Sequence, residues 1–90
     1  MTIWKFTLSS SAPTIEMPAD ARILSVQSQF GDVCLWAMVD PDATKAVRQF
    51  RIFGTGQPIS EPERPKRLSF IGTVQVSGGQ FVWHVFEVVR

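Results

Sequence analysis

The stretch VCLWAMV, residues 33–39, is apolar at every position, and it decides which fold the chain can adopt. In a β-strand successive side chains point to opposite faces, so Leu35 lies on one side of this segment and Trp36 on the other. A strand with two apolar faces lies at the centre of a sheet, or one of its faces meets a partner. We therefore predict that residues 33–39 form a strand in one of these two settings.

Segments with a two-residue apolar period lie on both sides of this stretch, and no window shows a helical period. The predicted strands are 3–8, a short edge piece at 14–17, 22–29, 33–39, 47–53, 68–76 and 80–89. Within 22–29, Leu24 and Val26 are expected on the same face. The pattern predicts one all-β domain over residues 1–90, a small antiparallel meander of about six to seven strands that forms a barrel or a sandwich.

The longest irregular stretch is residues 54–67, which contains prolines at 58, 62 and 65. Proline-rich segments of this kind run over the surface in an extended conformation. The charged part, residues 61–67, is either a recognition element or a solvated linker, and the second interpretation is favoured.

The charge balance limits the classes of partner. The chain has 90 residues, with 9 Lys+Arg against 8 Asp+Glu and a formal net charge of +1. This balance gives no general attraction to nucleic acid or to an anionic membrane, so no long nucleic acid is expected as a partner. A small domain without covalent crosslinks often gains stability by self-association, so we expect a homo-oligomer.

Two features of the sequence indicate the cellular compartment of the protein. They are the N-terminal sequence MTIWKFTL and the number of cysteines. Neither a secretory signal nor a run of roughly 18 apolar residues is found, so no export and no membrane span are expected. Cys34 is the one cysteine of the chain. It excludes an internal disulfide and fits a reducing cytoplasm.

The segment Gly54-Thr55-Gly56-Gln57 follows a predicted strand and raises the question of phosphate binding. It lacks the third glycine of a dinucleotide fingerprint and the Gly-Lys-Ser/Thr of a Walker loop. Two interpretations remain. The segment could bind an anion through backbone N–H groups with help from Arg48 and Arg51, or it could be a turn or bulge that begins the long loop.

Trp36 and Trp83 are the aromatic residues that we consider candidates for a binding or interface role. Each lies in a strand that is apolar on both sides, so the pattern predicts a second apolar face at a subunit interface or at a ligand surface. For Trp83 that face includes Phe81 and Val85. A nucleobase that stacks on tryptophan beside an arginine would fit the ligand alternative.

His84 lies inside an apolar strand and is interpreted first as a structural or interface histidine whose ring is satisfied by a nearby group. It is also included among the candidate ligand-binding residues. Catalysis by His84, alone or in a dyad with Cys34, would need the two strands to be neighbours, and it is disfavoured. Asp40 and Asp42 flank a proline and are typical of a turn rather than a metal site. No cofactor, metal or catalytic residue is predicted.

Several segments resemble a family of short uncharacterised proteins encoded by tailed phages and prophages. The matching pieces are Trp4-Lys5-Phe6, Met17-Pro18, ILSVQ at 23–27, CLWAMVDP at 34–41, FRIFGTGQPI at 50–59, FIGTVQ at 70–75 and FVWHVFE at 81–87. The resemblance covers nearly the whole chain and brings no catalytic residues. It implies a small non-virion accessory protein that acts in the bacterial cytoplasm.

Together these observations favour a non-enzymatic binding protein that works in counter-defence or host takeover. It would sequester a nucleotide-like signalling ligand or inhibit a host protein. The alternative is a structural or assembly protein whose apolar strand faces contact copies of itself or a virion protein. A small hydrolase that uses His84 is a third and weaker hypothesis.

Overall fold

The computed structural model describes residues 1–59 and 67–89, which form a sandwich of two antiparallel sheets. The strands are β1 (Thr2–Leu8), β2 (Thr14–Pro18), β3 (Arg22–Gln29), β4 (Asp32–Val39), β5 (Lys45–Gly54), β6 (Arg67–Val76) and β7 (Phe81–Val89). The predicted all-β class is confirmed. Most of the charged segment 61–67 lies outside the described residues.

Sheet A has the strand order β1-β4-β3, and sheet B has the order β2-β5-β7-β6. The two hairpins β3–β4 and β6–β7 pair strands that are neighbours in the sequence, so the connectivity is a meander at these two places. The other pairings join strands that lie further apart in the chain. Of the two settings predicted for residues 33–39, a central strand or a face that meets a partner, the structure shows the first, because β4 lies between β1 and β3.

The core lies between the two sheets and is built from alternate residues of each strand. Leu35 of β4 and Phe50 and Val85 of sheet B are each 0% exposed. Burial of one such side chain stabilises the fold by roughly 1.5–3 kcal/mol. The two sheets therefore hold together mainly through this apolar layer.

Two positions differ from the strand pattern predicted from the sequence. The β3–β4 register shifts between Ile23 and Ser25, and this bulge leaves Leu24 43% exposed. The prediction that Leu24 shares a face with Val26 is therefore wrong, because one extra residue reverses the alternation. In β7, Trp83 and Val85 both face the core. The residue between them in the sequence, His84, therefore lies on the outward face of that strand.

One side of the sandwich is closed by contact between β3 and β6. A Cβ atom on Gly72 of β6 would lie 2.6 Å from Cγ1 of Val26 in β3. The two edge strands thus approach as closely as a glycine permits. Within residues 1–59 and 67–89 no helix is long and apolar enough to cross a membrane.

Candidate functional site

The segment Gly54-Thr55-Gly56-Gln57 forms a β-turn at the end of β5. The Gln57 N–H donates to the Gly54 carbonyl at 3.0 Å, which closes the turn. Gly56, the third residue, has a φ of 83°, a conformation that favours glycine. The second glycine of the motif is therefore explained by turn geometry.

Three backbone N–H groups of this turn, those of Gly54, Thr55 and Gln57, donate to groups of the same chain. The Gly54 N–H donates to the Gln57 side-chain oxygen at 2.9 Å, and the Thr55 N–H donates to the Val82 carbonyl at 3.3 Å. These are the N–H groups that an anion cradle would use. Anion binding by the turn backbone stays a prediction, and it would require these bonds to be exchanged.

Gly54 has a second role, as the surface on which an indole ring lies. Gly54 is the register partner of Trp83 in the β5–β7 pairing. A Cβ atom at Gly54 would lie 3.3 Å from Cζ3 of Trp83, so the ring occupies the space above the glycine. The ring also lies parallel to that of Phe81, with centroids 6.0 Å apart. Trp83 is thereby held in one orientation at the end of the sandwich.

Beside this tryptophan lies a cleft of about 510 Å³, here called the end cleft. It is lined by Leu8, Ser9, Ser10, Ser11, Gly31, Asp32, Val33, Ile52, Gln57 and Trp83. These residues come from the end of β1, the β3–β4 hairpin, β5, the turn and β7. The lining includes serines and one acidic residue, and among the described residues it includes no lysine or arginine.

A second cleft of about 220 Å³, here called the side cleft, adjoins the first. It is lined by Ser11, Ala12, Arg51, Ile52, Phe53, Gln57 and Pro58. Ser11, Ile52 and Gln57 line both clefts, so the two clefts are adjacent. Arg51 brings a positive charge to this second part, where its Nη1 donates to the Phe50 carbonyl at 2.8 Å.

His84 lies on the outward face of sheet B between two threonines. Its Nε2 is 2.7 Å from Oγ1 of Thr55, and its Nδ1 is 3.0 Å from Oγ1 of Thr73. A neutral imidazole has one donor and one acceptor nitrogen, so one hydroxyl accepts from the ring and the other donates to it. The ring thus joins the turn to β6 across β7.

Arg48 is not brought to the turn. It lies six residues before Gly54 on β5, which is roughly 20 Å at the usual rise of a strand. Its Nε donates to Oε2 of Glu87 at 2.6 Å and its Nη2 to Oε1 at 2.7 Å, while Nη1 donates to the Ala21 carbonyl. The hydrogen bond to Glu87 raises the pKa of Arg48 above its usual value, and desolvation opposes that rise. This guanidinium is part of an ion pair at the opposite end of the strand.

Trp36 and Cys34 lie on the outward face of sheet A, away from both clefts. Trp36 is opposite Lys5 in the register, and Cys34 is opposite Thr7. Cys34 and His84 belong to different sheets, so the strand adjacency that a dyad requires is not met. The residues described also contain no cluster of His, Cys, Asp and Glu able to hold a metal ion.

The serines at 9–11 and the hairpin residues Gly31 and Asp32 all line the end cleft, although none of them was among the candidates predicted from the sequence. The sequence feature that could have indicated this role is the position of these two segments next to apolar strands. Both follow or precede apolar strands, and the pairing of Leu8 with Val33 brings them to one end of sheet A.

Comparison with protein families matches residues 1–90 to a domain of unknown function, DUF7352. The chain therefore belongs to the DUF7352 family. Searches of curated proteins and of solved structures gave no match.

Proposed function

We propose that the chain is a non-enzymatic binding protein that holds a nucleotide-like small molecule across the end cleft and the side cleft. The observation that carries the proposal is Trp83, which lies over Gly54 and lines a cleft of about 510 Å³. Small-molecule sites usually have volumes of about 300–1,000 Å³ and combine aromatic walls with a few polar groups. The end cleft fits that description.

The end cleft suits the uncharged, planar part of such a ligand. Packing of a base against an aromatic ring contributes about 1–3 kcal/mol, and Trp83 supplies such a ring in the wall of this cleft. The serines at 9–11 and Gln57 offer hydrogen-bonding groups beside it. Asp32, the acidic residue of the lining, makes this cleft unfavourable for a phosphate.

The side cleft suits the anionic part. Arg51 lines it, and a guanidinium is the side chain best shaped to bind phosphate oxygens. Ser11, Ile52 and Gln57 line both clefts, so a ligand with its base against Trp83 would extend past these residues to reach Arg51. The proposed ligand is therefore a nucleoside phosphate rather than a nucleoside or a free phosphate.

The biological setting is also part of the proposal. The resemblance to short proteins of tailed phages supports an accessory protein that acts in the cytoplasm of a bacterial host. There it would sequester a nucleotide-like signal as counter-defence, or inhibit a host protein during takeover. A pull-down from bacterial lysate that returns one dominant protein would favour the second of these roles.

The test is a thermal-shift screen with nucleosides, inorganic phosphate, and linear and cyclic nucleotides. A nucleotide at 100 times its Kd adds about 2.7 kcal/mol, which raises the Tm of a domain of this size by roughly 10–20 °C. Trp83→Leu should abolish the shift. Arg51→Gln should reduce the thermal shift given by nucleotides more than the shift given by nucleosides.

Two matched variants serve as controls in that screen. Trp36→Leu removes a half-buried tryptophan from sheet A, and Arg22→Gln removes an exposed arginine from β3. Each variant is compared with its own ligand-free Tm. The proposal would be contradicted if no nucleotide raised the Tm of the wild type. It would also be contradicted if the control variants lost as much of the ligand-induced rise in Tm as Trp83→Leu and Arg51→Gln.

A specific observation also favours the alternative of an assembly role. The outward face of sheet A carries Trp36 and Met38, both half-buried, beside Ile3, which is 54% exposed. On sheet B, Phe70 is 59% exposed and packs edge-to-face on Phe86. Apolar surfaces of this kind mark contacts with other chains.

A further inference from the structure

Alternate N–H groups of β5 point to the edge of that strand that pairs with β2, away from β7. The Phe50 N–H donates there to the Pro13 carbonyl at 2.9 Å, and the Ile52 N–H donates to the Ser11 carbonyl at 2.8 Å. The next group in this series is the N–H of Gly54. Backbone carbonyls of the segment before β2 thus accept from the first two donors, and the third has a different acceptor.

That acceptor is the side chain of Gln57. Its Oε1 accepts from the Gly54 N–H at 2.9 Å, and the hydrogen bond is exposed to solvent. The Thr55 N–H points the opposite way and donates to the Val82 carbonyl of β7. A side-chain amide oxygen therefore occupies, at Gly54, the position that a backbone carbonyl holds at the two preceding donors.

This hydrogen bond lies where the two clefts meet. Gln57 lines both clefts, and so does Ile52, the preceding donor of the same edge. The Trp83 ring is 3.3 Å from the position of a Cβ atom on Gly54. Arg51 of β5 lines the side cleft. A ligand that extends from Trp83 to Arg51 therefore passes the Gly54 N–H.

We propose that the Gly54 N–H donates to a phosphate oxygen of the ligand, and that Gln57 Oε1 occupies the place of this oxygen until the ligand binds. This inference rests on the proposed function. A charged acceptor forms a hydrogen bond about twice as strong as a neutral one, so a phosphate oxygen displaces the amide oxygen. A neutral sugar hydroxyl has no such advantage. Gln57 is thus an internal competitor that favours nucleotides over nucleosides.

Calorimetric titration of the full chain with AMP, GMP, CMP and UMP tests this competition. Gln57→Ala removes the competing oxygen and keeps the backbone N–H that closes the turn. It should bind the tightest of these nucleotides about two- to tenfold more tightly than the wild type does, because one neutral hydrogen bond no longer has to be broken. The Kd of the corresponding nucleoside should not change. Gln27→Ala, which removes an exposed glutamine from sheet A, is the matched control and should leave both Kd values unchanged.

Hydrogen exchange of the Gly54 amide, measured by NMR, reports on the donor directly. Without ligand, this amide should exchange roughly tenfold faster in Gln57→Ala than in the wild type, because its acceptor is gone. Saturation of the variant with the nucleotide should restore slow exchange. Saturation with the nucleoside should not.

The results that would overturn the inference are distinct from those that would overturn the proposed function. If the wild type binds nucleotides and Gln57→Ala binds them equally or more weakly, only the inference is wrong. The same holds if the nucleoside gains as much affinity as the nucleotide, or if the Gly54 amide of the nucleotide-bound variant still exchanges fast. If neither the wild type nor Gln57→Ala binds any nucleotide, both the inference and the proposed function are wrong.

Discussion

Single glycines set the closest approaches in this sandwich. At Gly54 the missing side chain leaves room for the indole ring of Trp83. At Gly72 the space is filled by Val26, with 2.6 Å between Cγ1 and the position of a Cβ atom. No positive φ is involved at Gly72, so the constraint there is steric.

Replacement of Gly72 tests this contact. Gly72→Ala should lower the free energy of unfolding by about 1–3 kcal/mol, because Val26 and the backbone must move apart. Val26→Ala should also destabilise the protein, by removing a buried side chain, yet in the double variant it should relieve the overlap. Urea unfolding of the four proteins should give a coupling of about 0.5–3 kcal/mol. Strict additivity would show that the β3–β6 contact tolerates the extra methyl group.

The sequence predicted side-chain direction well where alternation is unbroken, as at Leu35 and Trp36. The direction predicted for the Leu24 side chain is wrong, because a bulge inserts an extra residue into β3. The local sequence carries no signal for that bulge. The sequence predicted that His84 would be satisfied by a neighbouring group. It could not name Thr55 and Thr73, which lie on other strands or turns and meet the ring only through the fold.

At the scale of elements, the end of sheet B far from the clefts is held by an ion pair. Arg48 of β5 and Glu87 of β7 form two hydrogen bonds, and their side chains are 23% and 15% exposed. Arg48 also donates to the carbonyl of Ala21, just before β3. The pair therefore links both sheets at that end.

Removal of either partner should destabilise this end. Glu87→Gln and Arg48→Met should each lower the free energy of unfolding by about 1.5–3 kcal/mol, since each leaves a partly buried group without its countercharge. The double variant should cost less than the sum of the two. Lys5→Met, which breaks an exposed 2.8 Å hydrogen bond to Gln29, is the control and should change stability by less than about 0.5 kcal/mol. Equal effects in the control and in the pair would contradict the linking role.

Strand bounds were predictable from the sequence to within two residues at most ends, because apolar periods and turn residues are local signals. For example, the third strand was predicted at 22–29 and is observed at Arg22–Gln29. Strand order was not predictable. The β1–β4 and β2–β5 pairings join distant segments, and nothing in either partner alone specifies the other.

At the scale of the whole molecule, the candidate site follows from that strand order. Leu8, Val33 and Gly54 are far apart in the sequence, yet the two sheets bring the loops beside them to one end of the sandwich. Of the Gly54-Thr55-Gly56-Gln57 segment that the sequence singled out, Gln57 lines both clefts. The serines and the hairpin that complete the end cleft had no distinguishing motif. The central claim is that this end of the molecule binds a nucleotide.

The most direct measurement is an NMR titration of the three indole N–H resonances with the nucleotide that gives the largest thermal shift. The resonances are assigned with the variants Trp4→Phe, Trp36→Phe and Trp83→Phe. If a nucleotide binds in the end cleft, the Trp83 signal should move in a saturable way, together with backbone signals of Ser9–Ser11 and Gln57, while the Trp36 signal stays in place. A titration in which Trp83 is unmoved, or in which Trp36 moves instead, would contradict the central claim.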